Sequence, residues 1–167
     1  KKILNNFISD FQETFLDEIE NAAIYQDFNK LNKLYEESKG TGNRFLVLST
    51  KAQLQGLEEV EISELVDYLK KVDHWGYLEL CLLYTILDYL NPTLLKEIVE
   101  EYLTINYTHN TVYKYRRKFY LICFSTILNL IGQDDREGVL EILNHIPPRP
   151  RIEAIDFYVS VFGILVS

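Results

Sequence analysis

An apolar side chain recurs at every fourth position over the first twenty residues of the chain. The residues at this spacing are Ile3, Phe7, Phe11, Phe15 and Ile19. A period of about four places them in one stripe along an α-helix, whereas a half-buried strand requires alternating apolar and polar residues. No segment shows such alternation, and seven glycines and four prolines are few for 167 residues. The sequence therefore predicts an all-α fold of long helices joined by short connections.

Helix-breaking residues divide the chain into a succession of predicted helices. Gly40 and Gly42 separate the second helix from the third, which Asn43 is predicted to cap, and Asn91-Pro92 separates the fifth from the sixth. The predicted helices span 3–20, 21–38, 43–56, a segment from Ser63, 75–90, 92–106, 111–131, a segment from Asp134 or Asp135 to 144, and a last one from Arg151. The second helix has Ile24, Phe28, Leu31, Leu34 and Tyr35 as its apolar residues. The helix over 75–90 is apolar on most of its sides, so we expect it to be buried between neighbours.

The chain also contains a weak internal repeat. The sequence TILDYL at Thr85–Leu90 recurs as TILNLI at Thr126–Ile131, and each copy is followed by a break and a shorter helix with Glu. Such self-similarity favours a helical-repeat fold of the tetratricopeptide or HEAT kind, in which antiparallel helix pairs stack into a right-handed solenoid. An irregular helical bundle is the alternative.

Charge and cysteine usage restrict the class of protein. The formal net charge is −8, and because affinity for nucleic-acid phosphates comes from Lys and Arg, we do not expect this chain to bind DNA by itself. Cys81 and Cys123 lie in apolar runs and are predicted to be reduced core thiols of a cytoplasmic protein. No apolar run reaches the roughly 20 residues that span a bilayer. Because no Met begins the chain and its last residues are apolar, we expect it to be part of a longer protein.

The residues that usually perform catalysis are not arranged for it. His74, His109 and His145 are scattered, and none has a metal-binding partner three or four positions away. The acidic pairs Glu36-Glu37, Glu58-Glu59 and Glu100-Glu101 are sequence neighbours, which diverge by about 100° on a helix and indicate a solvated face. No glycine-rich phosphate loop or nucleophile turn occurs. We therefore expect no enzyme activity, no metal and no cofactor.

One cationic cluster stands out in this acidic chain. It is the run Lys114-Tyr115-Arg116-Arg117-Lys118 at the start of a long predicted helix. Steps of three and four place Tyr113, Arg116, Arg117, Tyr120 and Phe124 along one side of that helix. Aromatic rings beside guanidinium forks can grip the carbonyls and carboxylates of a peptide, so this side is a candidate ligand site. Alternatively, the arginines pair with acids of a neighbouring helix.

The segment around the single tryptophan resembles a family signature. Residues 65–80 read LVDYLKKVDHWGYLEL, which resembles the "YL…(I/V)(E/D)xWgxyEl" stretch of Rgg/GadR/MutR transcriptional regulators. The resemblance rests most on Trp75-Gly76 with Glu79 four residues after the tryptophan. Residues 115–130, followed by a short helix to Ile146, are similar to the next repeat of that family.

This resemblance implies a sensor domain. Members of the family are cytoplasmic quorum-sensing regulators of Gram-positive bacteria, with an N-terminal helix-turn-helix that binds DNA. Their C-terminal tetratricopeptide-like domain dimerises and senses a short hydrophobic peptide pheromone. Residues 1–167 would be that single sensing and dimerisation domain, with the helix-turn-helix absent.

The resemblance also implies where the ligand binds. Family arginines on the concave helices hold the peptide, and Arg44, Arg116 and Arg117 are the closest candidates here. Where family members often have an Asn on the long helix, this chain has Ser125, and Asn129 one turn later. The apolar segment Ala154–Val166 is expected to pack on its own chain or on a second copy. A helical-repeat scaffold that binds another protein is the alternative function.

Overall fold

A computed structural model of the chain describes residues 2–106 and 113–146, and every regular element there is helical. The elements are α1 (Lys2–Ile24), α2 (Phe28–Gly40), α3 (Arg44–Gln55), α4 (Glu59–Leu69), α5 (Tyr77–Ile86), a 3-10 helix (Leu87–Tyr89), α6 (Pro92–Asn106), α7 (Tyr113–Gly132) and α8 (Arg136–His145). No strand occurs in these residues, and the predicted all-α class is confirmed. The helix predicted from Arg151 lies outside the described part. None of the described helices is long and apolar enough to cross a membrane.

The chain divides into two compact units, Lys1–Tyr89 and Leu90–Ser167. In the first unit, α1 packs against α2, α3 and α5, while α5 also contacts α3 and α4. Seven of the ten residues of α5 are buried, which confirms the prediction from its apolar sides. In the second unit, α6, α7 and α8 pack against one another. Cys81 and Cys123 are both buried, as predicted for core side chains.

The starts of the helices recur at a fixed spacing. Helices α3 and α5 begin at residues 44 and 77, and α4 and α6 begin at 59 and 92, so both intervals are 33 residues. This interval is close to the 34 residues of a tetratricopeptide unit, which is one antiparallel helix pair. In both TIL sequences the threonine hydroxyl donates to the carbonyl four residues earlier, Thr85 to Cys81 and Thr126 to Ile122, both at 2.8 Å. The fold is therefore tetratricopeptide-like.

Two of the helix pairs share one three-residue turn that the sequence prediction missed at its first occurrence. Helix α1 extends to Ile24 and α2 begins at Phe28, so the predicted start of the second helix at residue 21 was wrong. Gln26 adopts a left-handed backbone with φ of 53°, and Asp27 caps α2 by accepting from the Lys30 N–H at 2.9 Å. Because no Gly or Pro marks this turn, the composition did not reveal it. Ile24 and Phe28 flank the turn and are 60% and 58% exposed, although the prediction placed them on an apolar face.

The same turn joins α7 to α8. Asp134 has φ of 59°, and Asp135 caps α8 by accepting from the Gly138 N–H at 2.9 Å. In both turns the backbone N–H of the capping Asp also bonds back to the preceding helix, to Ala22 in one and Leu130 in the other. Of the two predicted caps, Asp134 and Asp135, it is Asp135 that caps the helix, and the predicted cap Asn43 accepts from the Phe45 N–H at 3.0 Å.

Buried carboxylates set the starts of α4 and α5. Helix α4 begins at Glu59 rather than at the predicted Ser63, because the Glu61 carboxylate folds back and accepts from the Glu58 N–H at 2.9 Å. The Trp75-Gly76 signature has the same arrangement: Glu79 accepts from the Gly76 N–H at 2.8 Å. A hydrogen-bonding acid at the third helical position satisfies a backbone donor that would otherwise have no partner within the helix.

Replacing Gln26 with glycine should stabilise the protein. A side chain in the left-handed region costs about 1 kcal/mol relative to glycine, and the greater flexibility of unfolded glycine offsets part of that gain. We expect Gln26→Gly to raise the free energy of unfolding by roughly 0.5 kcal/mol, measured by urea denaturation. The matched control is Gln53→Gly, at an exposed position inside α3, which should lower stability by about 1 kcal/mol. Destabilisation by both substitutions would contradict this account of the turn.

Candidate ligand-binding site

Five of the six predicted ligand residues lie on α7, in the second unit. The helix is continuous from Tyr113 to Gly132, so Tyr113, Arg116, Arg117, Tyr120 and Phe124 do follow one side of it. Tyr113 is 65% exposed and Arg117 is exposed, whereas Arg116, Tyr120 and Phe124 are half-buried. This side of α7 therefore borders the core without being enclosed by it. We call these five residues the α7 face.

The remainder of α7 fixes the direction of this face. The buried residues of the helix are Lys118, Phe119, Ile122, Cys123, Thr126, Ile127 and Leu130. Phe119 packs against Tyr102 of α6, with ring centroids 5.3 Å apart, and against the neighbouring Tyr120 at 5.5 Å. Burial raises the pKa of the Cys123 thiol, which therefore stays protonated at neutral pH. The contacts with α6 and α8 thus hold the helix through its buried residues, and the α7 face borders them.

The charges of α7 are all positive and lie at its start. Lys114, Arg116, Arg117 and Lys118 fall within its first six residues, and the helix contains no Asp or Glu. Cations near a helix N-terminus are opposed by the helix dipole, so this arrangement favours a nearby anion. Each of the four side chains already interacts with another group of the chain. Pairing inside the protein, the alternative drawn from the sequence, therefore contributes to the placement of these cations.

The sixth predicted residue, Arg44, lies in the first unit as the first residue of α3. Its Nε lies 3.3 Å from both carboxylate oxygens of Glu64 on α4, and its Nη2 lies 3.2 Å from one of them. A second acid, Glu61, is 3.7 Å from Nη2. The hydrogen bonds with Glu64 raise the pKa of the guanidinium, which is positively charged in any case. Arg44 is therefore held by acids of its own helix pair.

Glu61 is a charged residue that the sequence analysis did not single out. It is only 8% exposed, and its two oxygens accept hydrogen bonds from Lys51 Nζ at 2.9 and 2.7 Å. Burial on its own would raise the pKa of this carboxyl, but the bonds from Lys51 and from the Glu58 N–H outweigh it and lower the pKa. The sequence does contain a signal for its role, because an acid three residues after Glu58 has the spacing typical of a helix start. Lys51, Glu61, Arg44 and Glu64 form what we call the α3–α4 charge cluster.

The histidines and the acidic pairs considered for chemistry are described in part. His74 is exposed, and the side chains of His109 and His145 lie outside the described residues. No group of His, Cys, Asp and Glu within residues 10–103 and 113–144 could hold a metal ion. Glu36, Glu37, Glu58 and Glu59 are exposed, which confirms a solvated face for these two acidic pairs.

Comparison with known proteins gives consistent matches. A family model described as "HTH-type transcriptional regulator Rgg, C-terminal domain" matches residues 7–153. Among solved structures, the chain is similar to the X-ray crystal structure of the Streptococcus dysgalactiae SHP pheromone receptor Rgg2, with a TM-score of 0.71 and 20% sequence identity. That match covers 92% of this chain and 59% of the other, so the chain spans little more than half the length of that receptor. No curated protein matches significantly.

The buried Glu61 predicts how stability depends on pH. Because its pKa is lowered in the folded state, Glu61 contributes stability that is present above the ordinary value of 4.5 and is lost as the pH falls through the folded pKa. We expect Glu61→Gln to lower the free energy of unfolding at pH 7, and the difference from wild type to shrink below pH 4.5. Urea denaturation at a series of pH values measures both. A difference that stays constant down to pH 3 would contradict this assignment.

Proposed function

Because the chain belongs to the Rgg family of transcriptional regulators, as their C-terminal domain, we propose that it binds a short hydrophobic peptide and forms a homodimer. The α7 face in the second unit is the proposed contact for the peptide, and Arg44 in the first unit is a separate candidate contact. DNA is bound by an N-terminal helix-turn-helix of the longer protein, since this acidic chain is unsuited to phosphates. The whole protein acts in the cytoplasm, without a membrane or a cofactor.

The observation that carries the proposal is the chemistry of the α7 face. Two guanidinium groups lie between aromatic rings along one side of a helix that contains no acid. An arginine offers several N–H donors in a rigid fork, which suits backbone carbonyls and carboxylates of a peptide. Tyrosine and phenylalanine rings supply contact area for apolar side chains at low entropic cost. Together they suit a ligand that is apolar along its length and anionic at one point.

The similar Rgg2 structure is titled a pheromone receptor, which supports a signalling peptide as the ligand class. Regulation then follows from a change in the populations of different dimer geometries. A peptide that binds one dimer geometry more tightly than another shifts the equilibrium towards it, by as much as its affinities for the two differ. The helix-turn-helix pair would then meet its operator in a different geometry.

Loss of an arginine from the α7 face tests the proposal. We expect Arg117→Ala to weaken binding of an acetylated eight-residue peptide of Leu, Ile, Val and Trp by about tenfold or more, because hydrogen bonds to charged groups contribute about 1.5–3 kcal/mol. Titration calorimetry on the full-length protein measures this. The control is Arg136→Ala, which removes an exposed cation from α8 in the same unit and should leave the affinity unchanged.

Two results would count against peptide sensing. Equal losses for Arg117→Ala and Arg136→Ala would mean that net charge, rather than the α7 face, controls binding. No binding by the wild-type protein across a panel of such peptides would favour the alternative, a helical-repeat scaffold for another protein. In that case, the N-terminal part of the full-length sequence should contain more helix pairs in place of a helix-turn-helix.

Homodimer formation has its own test. The apolar segment Ala154–Val166, outside the described residues, is the proposed contact with a second copy. Size-exclusion chromatography with light scattering on the full-length protein should give twice the monomer mass. A double substitution, Val159→Asp with Leu165→Asp, should shift the protein to the monomer mass while it remains helical by circular dichroism. A wild-type protein that elutes as a monomer would remove this part of the proposal.

A further inference from the structure

The carboxylate of Glu64 occupies the fork of Arg44 in the way that a ligand carboxylate would. Two nitrogens of the guanidinium, Nε and Nη2, face the two oxygens of Glu64 at 3.2–3.3 Å. This two-pronged geometry is the one in which arginine recognises carboxylates in general. An acid of this chain therefore already fills the place at Arg44 that the proposed function assigns to the ligand.

The pair of Arg44 and Glu64 is exposed and its hydrogen bonds are long. The two side chains are 51% and 41% exposed, so water solvates both partners and the pair is weak. The distances of 3.2–3.3 Å are also long for a charge-assisted hydrogen bond. The neighbouring pair of Lys51 and Glu61 differs on each count: its side chains are 19% and 10% exposed, and its shortest distance is 2.7 Å. In the α3–α4 charge cluster, the outer pair of Arg44 and Glu64 can therefore open while the inner pair of Lys51 and Glu61 stays closed.

Glu61 does not replace Glu64 if the outer pair opens. Both of its oxygens accept from Lys51, and one also accepts from the Glu58 N–H. Its nearest oxygen is 3.7 Å from Arg44 Nη2, which is too long for a hydrogen bond. The fork of Arg44 would therefore be left open to an outside carboxylate, beside a cluster whose other charges are already satisfied.

We propose that Glu64 is an internal competitor that a carboxylate of the ligand displaces from Arg44. The exchange replaces one carboxylate with another, so the charge at the guanidinium does not change, and the released Glu64 side chain moves into solvent. The competitor makes a carboxylate a requirement for binding at this point, because a neutral group cannot displace it. This inference rests on the proposed function for the identity of the ligand, but the exchange itself is a property of the α3–α4 charge cluster.

Peptide binding provides the first test, and its probes distinguish the two possible sources of the carboxylate. The probes are the acetylated apolar peptide with a free C-terminus, its C-terminal amide, and the amide with one Asp in its sequence. Glu64→Gln should tighten binding of one of the two carboxylate-bearing probes about three- to tenfold, since it removes a weak pair and a like charge. The amide without Asp should not change. The control is Asp67→Asn, which removes an exposed acid one turn later on α4 and should leave all three affinities unchanged.

A second test needs no peptide. In the ¹⁵N-labelled full-length protein, the Nε–Hε signal of Arg44 reports on its carboxylate partner. Titration with sodium acetate, at an ionic strength held constant with sodium chloride, should shift this signal at a several-fold lower acetate concentration in Glu64→Gln than in wild type or Asp67→Asn. Failure of every peptide to bind would end the proposed function, while this titration would still decide the exchange.

Two outcomes would overturn the exchange. One is an acetate response of Arg44 that is the same in Glu64→Gln as in Asp67→Asn. The other is a gain in peptide affinity that appears equally for the C-terminal amide without Asp, since a neutral ligand cannot compete with Glu64 for the fork. Arg44→Ala should abolish the advantage that Glu64→Gln confers, because both substitutions act on the same pair.

Discussion

The burial of α5 is the constraint on which the rest of the first unit depends. The helix contacts α1, α3 and α4, and its residues Leu80, Leu82 and Ile86 are completely buried. Each such side chain contributes about 1.5–3 kcal/mol when it leaves water. Because α5 is apolar nearly all round, no arrangement that exposes one of its sides is stable. The neighbouring helices must therefore surround it. Their polar groups need hydrogen-bond partners there, although α5 has few polar groups of its own.

Buried polar pairs satisfy that requirement at the edges of α5. The hydroxyl of Tyr77 donates to Asp17 of α1, and the hydroxyl of Tyr68 on α4 donates to Glu79 at 2.7 Å. Burial, together with the neighbouring carboxylates, raises the pKa of both hydroxyls, which therefore remain donors at physiological pH. Glu79 also accepts from the Gly76 N–H, so one carboxylate both caps the start of α5 and links α5 to α4 through a hydrogen bond. This double role gives the Trp75-Gly76 signature a structural reason: it specifies the entry into the central helix.

The two candidate ligand sites use charge in different ways. On α7, the contacts with α6 and α8 fix the helix, and the five residues of the α7 face border its buried side. At Arg44, the guanidinium is paired with acids of the same helix pair, one deeply held and one exposed. A weak exposed pair costs little free energy to separate, whereas a buried and fully hydrogen-bonded pair resists separation.

The sequence by itself determined the all-α class, the burial of α5, the cap at Asn43, and the single side of α7 that groups Arg116, Arg117 and Tyr120. It narrowed the cap of α8 to Asp134 or Asp135. These follow from periodicity and capping, which act over a few residues. The prediction failed at two helix boundaries. The turn at Gln26 has no glycine, and α4 starts at Glu59 because Glu61, which binds Lys51 on α3, also folds back to Glu58. Only the tertiary structure decided that Arg44 faces Glu64, twenty positions away, because ion pairs between helices depend on how the helices pack, and no short-range pattern encodes that packing.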